Sequence, residues 1–404
     1  MSSPTGLPRV KIEFTNGALG SVLPSPDGVL GILCTGAVVS GKFALLTPYI
    51  IKHFAELETT YGITVANNPN IVKLFSDFYA EADDGTEVWL MAFANTVTLA
   101  QMVDSTIAAN GKALVLAANG RLRGLIVART PAGGYTPTVT TGLDSDVAAA
   151  VLAAQTLAEW AATTLMAPLF VIIEGRAYTG VPANLTDQGT LTKNRVGILI
   201  GDTVISSDNA CMGLLAGRIA SIPVQRNIGR VKDGALATLT AYLKDKTVEQ
   251  ADPGSVHDKG YITLRNFVGR AGYFFSDDHL CTLPTDDYHT LTARRTVDKA
   301  YRIAYDTLLN ELLDEVPVND DGTIAITKAK SIETKVENAI INSMTINGEL
   351  GNNPGDQNDT GVICFIDHTQ NLVNTNLLNV VVKVKPFGYP KYIDVQLGFK
   401  TLTA

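Results

Sequence analysis

Three groups of residues in this sequence have the types and spacing to do chemistry. The first is Gly36-Ala-Val-Val-Ser-Gly41-Lys42-Phe43, which follows an apolar run and matches the opening of a phosphate-cradling GxxxxGK loop. Such a loop needs Ser or Thr after the lysine, because that hydroxyl ligates magnesium, and here Phe43 stands there. The next helix is expected only near Pro48, too late for its N-terminal dipole to meet the phosphates. A plain strand-to-loop turn is therefore expected, with a nucleotide-binding α/β enzyme using Gly36–Lys42 as the alternative. The second group is Asp277, Asp278, His279, Cys281, Asp286, Asp287 and His289, the densest set of metal-ligating types in the chain. It lies in a turn-rich stretch before a helix, where Asp286 and Asp287 suit the N-terminal cap, so no metal site is expected. The third is Arg294-Arg295, which could hold phosphate or form ion pairs within or between subunits; ion pairing is preferred, given the excess of carboxylates. No GxSxG, HExxH or GxGxxG-plus-acid pattern occurs, and no catalytic residue or cofactor is expected. The GLLAG run at 213–217 reads as close helix–sheet packing.

The elements that would position these groups follow from periodicity. Val29–Thr35, Glu87–Phe93, Arg123–Ala128, Leu169–Ile173, Val196–Ile200 and Gly260–Phe267 read as strands. Helices are predicted after Thr47, from Asn68-Pro69, over Leu99–Ala109, Asp146–Thr163, Asp208–Ala220 and, less regularly, Gly234–Leu243. The TPAGGYTPTVTTG stretch at 130–142 reads as a loop or hairpin. This alternation predicts an α/β fold with a mixed, largely parallel sheet covered by helices. Farther on, Asp286–Asp314 predicts a long amphipathic helix with an ion-rich face of Arg294, Arg295, Asp298, Lys299 and Arg302. A second helix, Lys328–Met344, follows, and then strand-like runs at Gly361–Asp367 and Asn379–Lys385. Both chain ends carry an alternating segment without a local partner. Val10, Ile12 and Phe14 share one face near the N-terminus; Ile393, Val395, Leu397 and Phe399 mark the other end. Four regions are expected: an arm at 1–20, lobes at 21–145 and 146–285, and a C-terminal lobe with terminal arm at 286–404.

Composition narrows the function classes. The 404 residues are 46% hydrophobic and only 18% charged, with a net charge of -8. That balance disfavours sequence-independent nucleic-acid binding. No apolar run reaches the length of a membrane span and no signal peptide is read, so membrane insertion is not expected and synthesis in the bacterial cytoplasm is. Cys34, Cys211, Cys281 and Cys364 have no CxxC spacing, which predicts buried thiols without disulfides or zinc.

Taken in order, these features resemble the contractile tail sheath family of phages and injection machines. The similarity is carried by residues 28–62, ending in Tyr61-Gly62; by the helix, acidic turn and strand of residues 74–93; and by the small-residue helix within 212–231. It continues in the Arg-Arg helix of residues 292–313 and the Gly348–Gly351 turn. One departure is Gly269-Arg270-Ala271-Gly272-Tyr273, where the family usually has Trp-Gly-x-Arg-Thr. The resemblance implies a structural subunit that polymerises helically with itself around an inner tail tube protein. Baseplate and tail terminator proteins are its further implied partners, within a phage tail or contractile injection particle. It also implies contraction, with terminal strands joining the sheets of neighbouring copies. Val10, Ile12, Phe14, Ile393, Val395, Leu397 and Phe399 would form those arms. Arg294, Arg295, Asp298, Arg302, Glu333, Lys335 and Glu337 would lie near the inner tube or between subunits. A tube or capsid-like protein that polymerises without contracting is the other structural alternative.

Overall fold

The computed structural model describes residues 26–356 and 358–397. The N-terminal arm with Val10, Ile12 and Phe14 lies outside the described residues, as does Phe399.

Eight strands form one mixed sheet: β1 (Leu30–Thr35), β2 (Tyr49–Ile51), β3 (Val88–Phe93), β4 (Gly124–Val127), β5 (Phe170–Glu174), β6 (Val196–Ile200), β7 (Ile262–Phe267) and β8 (Arg270–Phe275). Their spatial order is β8-β7-β6-β5-β4-β1-β3-β2. The six strands from β7 to β3 run parallel, and the antiparallel strands β8 and β2 flank them. Parallel strands have both faces covered, which is why β1 and β3 read as unbroken apolar runs and are buried at every position. Alternation still sorts the side chains. Leu30, Ile32, Leu90 and Ile172 point into one core, and Leu33, Met91, Val127 and Ile173 into the other.

Helices α1 (Pro69–Glu81) and α4 (Met212–Ser221) cover the first face; α2 (Gly111–Ala117) and the alanine-rich α3 (Ser145–Thr164) cover the second. Pro69 opens α1 at a position where its missing N–H costs nothing. The C-terminal part consists of α5 (Leu291–Leu309), α6 (Ile326–Ile340) and an antiparallel hairpin of β9 (Val362–Ile366) and β10 (Val380–Val384). A separate core of Val336, Ile340, Met344, Val362 and Cys364 joins them. Strands from both sides of residue 145 enter the same eight-stranded sheet. All four cysteines are buried.

Several sequence expectations are corrected. Pro48 precedes strand β2, not a helix: Tyr49, Ile50 and Ile51 are β-favouring residues taken up by the edge of β3. The helix expected over Leu99–Ala109 is a single turn, Leu99–Met102, closed by a Thr98–Gln101 capping box. Its first N–H groups are held by Asp146 from α3, through Leu99 N at 2.7 Å and Ala100 N at 3.1 Å. Gly234–Leu243 is not helical. Gly234 has φ +88°, and the Arg218 guanidinium takes the Gly234 and Ala235 carbonyls at 3.2 and 3.1 Å, oxygens that a helix would use internally. Helix α5 begins at Leu291, because Asp286 folds a turn onto Tyr288 N (2.8 Å) and Thr290 is the N-cap. Gly213 and Gly217 serve helix–helix rather than helix–sheet packing, as their backbones meet Leu74 and Phe78 of α1.

Candidate functional site

A parallel sheet offers ligands a crevice beyond the carboxyl ends of its strands. Here that crevice lies among Thr35, Thr130 and Glu174 at the ends of β1, β4 and β5, with Lys73 and Asp77 of α1 and Cys211–Gly213 at the start of α4. Its volume is about 60 Å³, room for roughly two waters, against at least about 300 Å³ for a drug-sized ligand. Glu174 fills it from below and accepts hydrogen bonds from Arg129 N (2.8 Å) and Ala210 N (3.0 Å). Burial pushes this carboxyl up to about 7 and the neighbouring Cys34 thiol up to about 12. A thiol held so high is not a nucleophile at neutral pH.

The Gly36–Lys42 loop closes on itself. Val39 N donates to Phe43 O (2.9 Å), while Lys42 N and Phe43 N donate to Val39 O (3.0 and 2.9 Å). Phe43, where a phosphate loop needs a hydroxyl, is a core residue at 1% exposure. Val39, Lys42 and Phe43 N are thus engaged within the loop, Gly36 N and Ala37 N donate to Phe93 O (2.9 Å) and Asn68 Oδ1 (2.6 Å), and the Phe43 side chain anchors the fold.

The acidic and histidine cluster divides. Asp278 is turned inward, where its carboxylate accepts from Thr292 N (2.7 Å) and the Thr292 hydroxyl. Burial, reinforced by the adjacent Asp277 charge, pushes Asp278 up to about 7. Asp286 and His289 belong to the turn before α5, Asp287 is exposed, and Cys281 is buried. Asp277 and His279 instead meet His257, a residue from the short helix Pro253–Asp258 that no local spacing connects to them. The Asp277 carboxylate also receives Asn227 Nδ2 (2.6 Å) and Lys391 Nζ (2.6 Å). Burial opposes its charge, yet Lys391 holds it well below the usual carboxylate range.

The ion-rich face of α5, for which ion pairs within or between subunits were expected, is turned into the subunit. Asp298 is 3% exposed and binds Arg294 at 2.7 Å and Arg195 at 3.1 Å. Arg294 also stacks on Tyr288, 4.3 Å from the ring centroid. Arg295 donates to the Ile219 and Ile222 carbonyls (3.0 and 2.9 Å), satisfying the C-terminal end of α4 where a cation is favoured. Arg302 reaches Pro168 O at 3.3 Å, and Lys299 bridges Asp27 (2.5 Å) and Glu349 (2.6 Å). These charges bind α5 to the large sheet. The helix therefore buries a polar face against the body as well as an apolar one against α6.

On α6, Lys335 is exposed and pairs with Glu311. Glu333 and Glu337 have a role that the sequence did not reveal: Glu337 accepts from Cys364 N (2.8 Å) and Glu333 from Ile366 N (2.8 Å). Their i, i+4 spacing places two carboxylates along the outer edge of β9, where they cap donors that a further strand would need. The edge of β10 carries no third strand among the described residues. The outer face of the hairpin exposes Ile363 (65%), Phe365 (50%) and Val381 (46%).

Beyond β10 the chain lies against its own subunit as far as Lys391, with Tyr389 Oη donating to Gln225 O at 2.5 Å and Lys391 paired to Asp277. Residues 392–397 then have no regular structure. Ile393, Val395 and Leu397 are 75%, 77% and 96% exposed, an alternating apolar set without a strand partner among the described residues.

The description DUF2586, N-terminal domain, matches residues 7–279, and DUF2586, C-terminal domain, matches residues 287–403. The chain belongs to the DUF2586 family. No curated protein matches it. Among solved structures, the DUF2586 chain is similar to a chain of the anti-feeding prophage baseplate, at 14% identity and TM-score 0.64 over 98% of this chain and 100% of that one. The anti-feeding prophage helical sheath in its contracted state gives 14% identity and TM-score 0.63, with coverages of 98% and 100%. The contracted PVC sheath complex of an extracellular contractile injection system gives 14% and 0.60, with 99% of each chain covered. The DUF2586 chain thus shares, along nearly its whole length, the mixed α/β fold of contractile sheath proteins. Among the described residues no helix is long and apolar enough to cross a membrane.

Proposed function

We propose that this protein is a non-enzymatic structural subunit of a contractile sheath, polymerising helically around an inner tube and contracting to drive it through a cell envelope. The observation that carries the reading is the pairing of an open acceptor edge with a donor segment that has no strand partner among the described residues. Hairpin β9–β10 has one edge capped by Glu333 and Glu337 and the other without a third strand among the described residues. Beyond the hairpin, Ile393, Val395 and Leu397 form an exposed alternating segment that has the pattern of a strand. A two-stranded hairpin is marginal alone, and strand addition from a neighbouring copy would complete it. Capping one edge gives the addition a direction, and directional contacts that do not close into a ring build a helix.

In this reading Ile393, Val395, Leu397 and Phe399, with Val10, Ile12 and Phe14 at the other end, are the linking strands. The lobes at 21–145 and 146–285, and the C-terminal lobe at 286–404 without its terminal arm, are the compact part in this reading. Contraction is a change of packing between compact parts while the added strands keep the copies connected. The inner tube protein, baseplate and tail terminator are the further partners, with synthesis in the bacterial cytoplasm. Arg294, Arg295, Asp298 and Arg302 contribute by holding α5 rigidly to the sheet, and Glu333 and Glu337 by setting the hairpin's free edge. Lys335 is the exposed member of that set, available to the tube or a neighbour.

The test compares the full chain with one ending at Lys391, by electron microscopy and sedimentation. The full chain is expected to form long striated cylinders. The shortened chain is expected to stay monomeric with an unchanged melting temperature. Equal assembly of both chains would remove the C-terminal arm from the mechanism.

A further inference from the structure

His257, Asp277 and His279 come from two separate segments, and each offers one ligand atom to a common point. Those atoms lie within 4.8 Å of one another. His279 Nε2 is 3.2 Å from His257 Nδ1 and 3.7 Å from Asp277 Oδ2. At metal–nitrogen distances of about 2.0–2.1 Å, a 3.2 Å nitrogen pair subtends roughly 100° at a shared cation, close to tetrahedral. Two imidazoles and a carboxylate are a donor set for zinc and its first-row neighbours rather than for calcium or magnesium.

The surroundings fit a built site. Asp277 is 5% exposed, and its other oxygen, Oδ1, accepts from Asn227 Nδ2 (2.6 Å) and from Asp278 N (2.9 Å). Those bonds fix the carboxylate so that Oδ2 faces the histidines, the orienting work that outer partners do around metal ligands. Oδ2 is at present shared with one cation already, the Lys391 ammonium at 2.6 Å. Lys391 is the last residue of the C-terminal segment tied to the subunit before the exposed residues 392–397.

We propose that His257, Asp277 and His279 form a binding site for a divalent transition cation of the zinc class, in competition with Lys391. A bound dication takes over Asp277 Oδ2 and repels the ammonium, so occupancy loosens the anchor at the root of the C-terminal arm. The site is formed within one chain and stands independently of the assembly reading.

Zinc alone, titrated calorimetrically into the chelator-treated full chain, tests this. One zinc per chain is expected, and cobalt in its place should give the visible absorption of a four-coordinate nitrogen and oxygen site. His257→Ala and His279→Ala should each weaken zinc binding at least about tenfold, whereas His368→Ala, on the exposed loop after β9, should leave it unchanged. Lys391→Ala should tighten binding, and zinc should speed proteolytic cleavage between residues 391 and 397 in the unaltered chain. If either histidine variant melts early, Asp277→Asn supplies the same comparison. Absence of stoichiometric zinc binding, or binding that survives loss of both histidines, overturns the site. Unchanged affinity in Lys391→Ala overturns the competition.

Discussion

Glu174 has 2% of its surface exposed and stands at the carboxyl end of β5, held by two backbone donors. Its carboxyl is raised from 4.5 to about 7, chiefly by burial. Between those values the folded chain keeps a proton that the unfolded chain has released. Its stabilising contribution is therefore complete below the unfolded value and is lost as pH rises through the folded one. For a shift from 4.5 to about 7 the change is on the order of 3 kcal/mol. Between pH 4.5 and pH 8 the urea midpoint of Glu174→Gln should accordingly lose less than that of the unaltered chain, in which Asp278 titrates in the same sense; an equal loss in both would assign the titration to another group. Periodicity alone read Glu174 as the residue after a strand. Its position facing the strand-end crevice depends on β1, β4 and α4, which are distant in sequence. Asp277 and His279 were legible as ligand types for the same local reason that His257 was not: only folding carries the short helix Pro253–Asp258 to them.

The elements were most legible where both faces or one clean stripe are buried, as in β1, β3, α1 and α3. They were least legible where a side chain from elsewhere takes over the backbone's bonding, as Arg218 does at Gly234–Ala235. The contact of α1 with α4 is the sharpest case of packing that composition only hints at. A Cβ added at Gly217 would lie 2.3 Å from Phe78 O and 2.6 Å from Glu81 Cβ. On an open helix Gly→Ala is favourable by about 1 kcal/mol, but here the neighbour is backbone and overpacking costs about 1–3 kcal/mol. Gly217→Ala should lower the melting temperature; a rise would show that the two helices separate freely. The ionic face of α5 teaches the same lesson in reverse. Its charges predicted ion pairing without naming partners, and folding supplied Arg195, Pro168 O and the end of α4 as buried ones.

For the whole molecule, the apolar outer face of the β9–β10 hairpin should matter only when copies meet. Phe365→Asp is expected to leave the monomer's melting temperature nearly unchanged, because Phe365 is 50% exposed, and to abolish cylinder formation seen by electron microscopy. Cylinders of normal appearance would mean that this face remains open in the assembly. The mixed α/β class, the run of buried strands, the long C-terminal helices and the alternating apolar pattern of Ile393, Val395 and Leu397 were all set by the sequence, because each rests on periodicity within a short window. Tertiary structure alone decided which side of α5 is buried, which edge of the hairpin carboxylates close, and that Lys391 and Asp277 pair across 114 positions. Those outcomes depend on desolvating charges against partners far along the chain, and hydrophobic spacing carries no record of where such partners will stand.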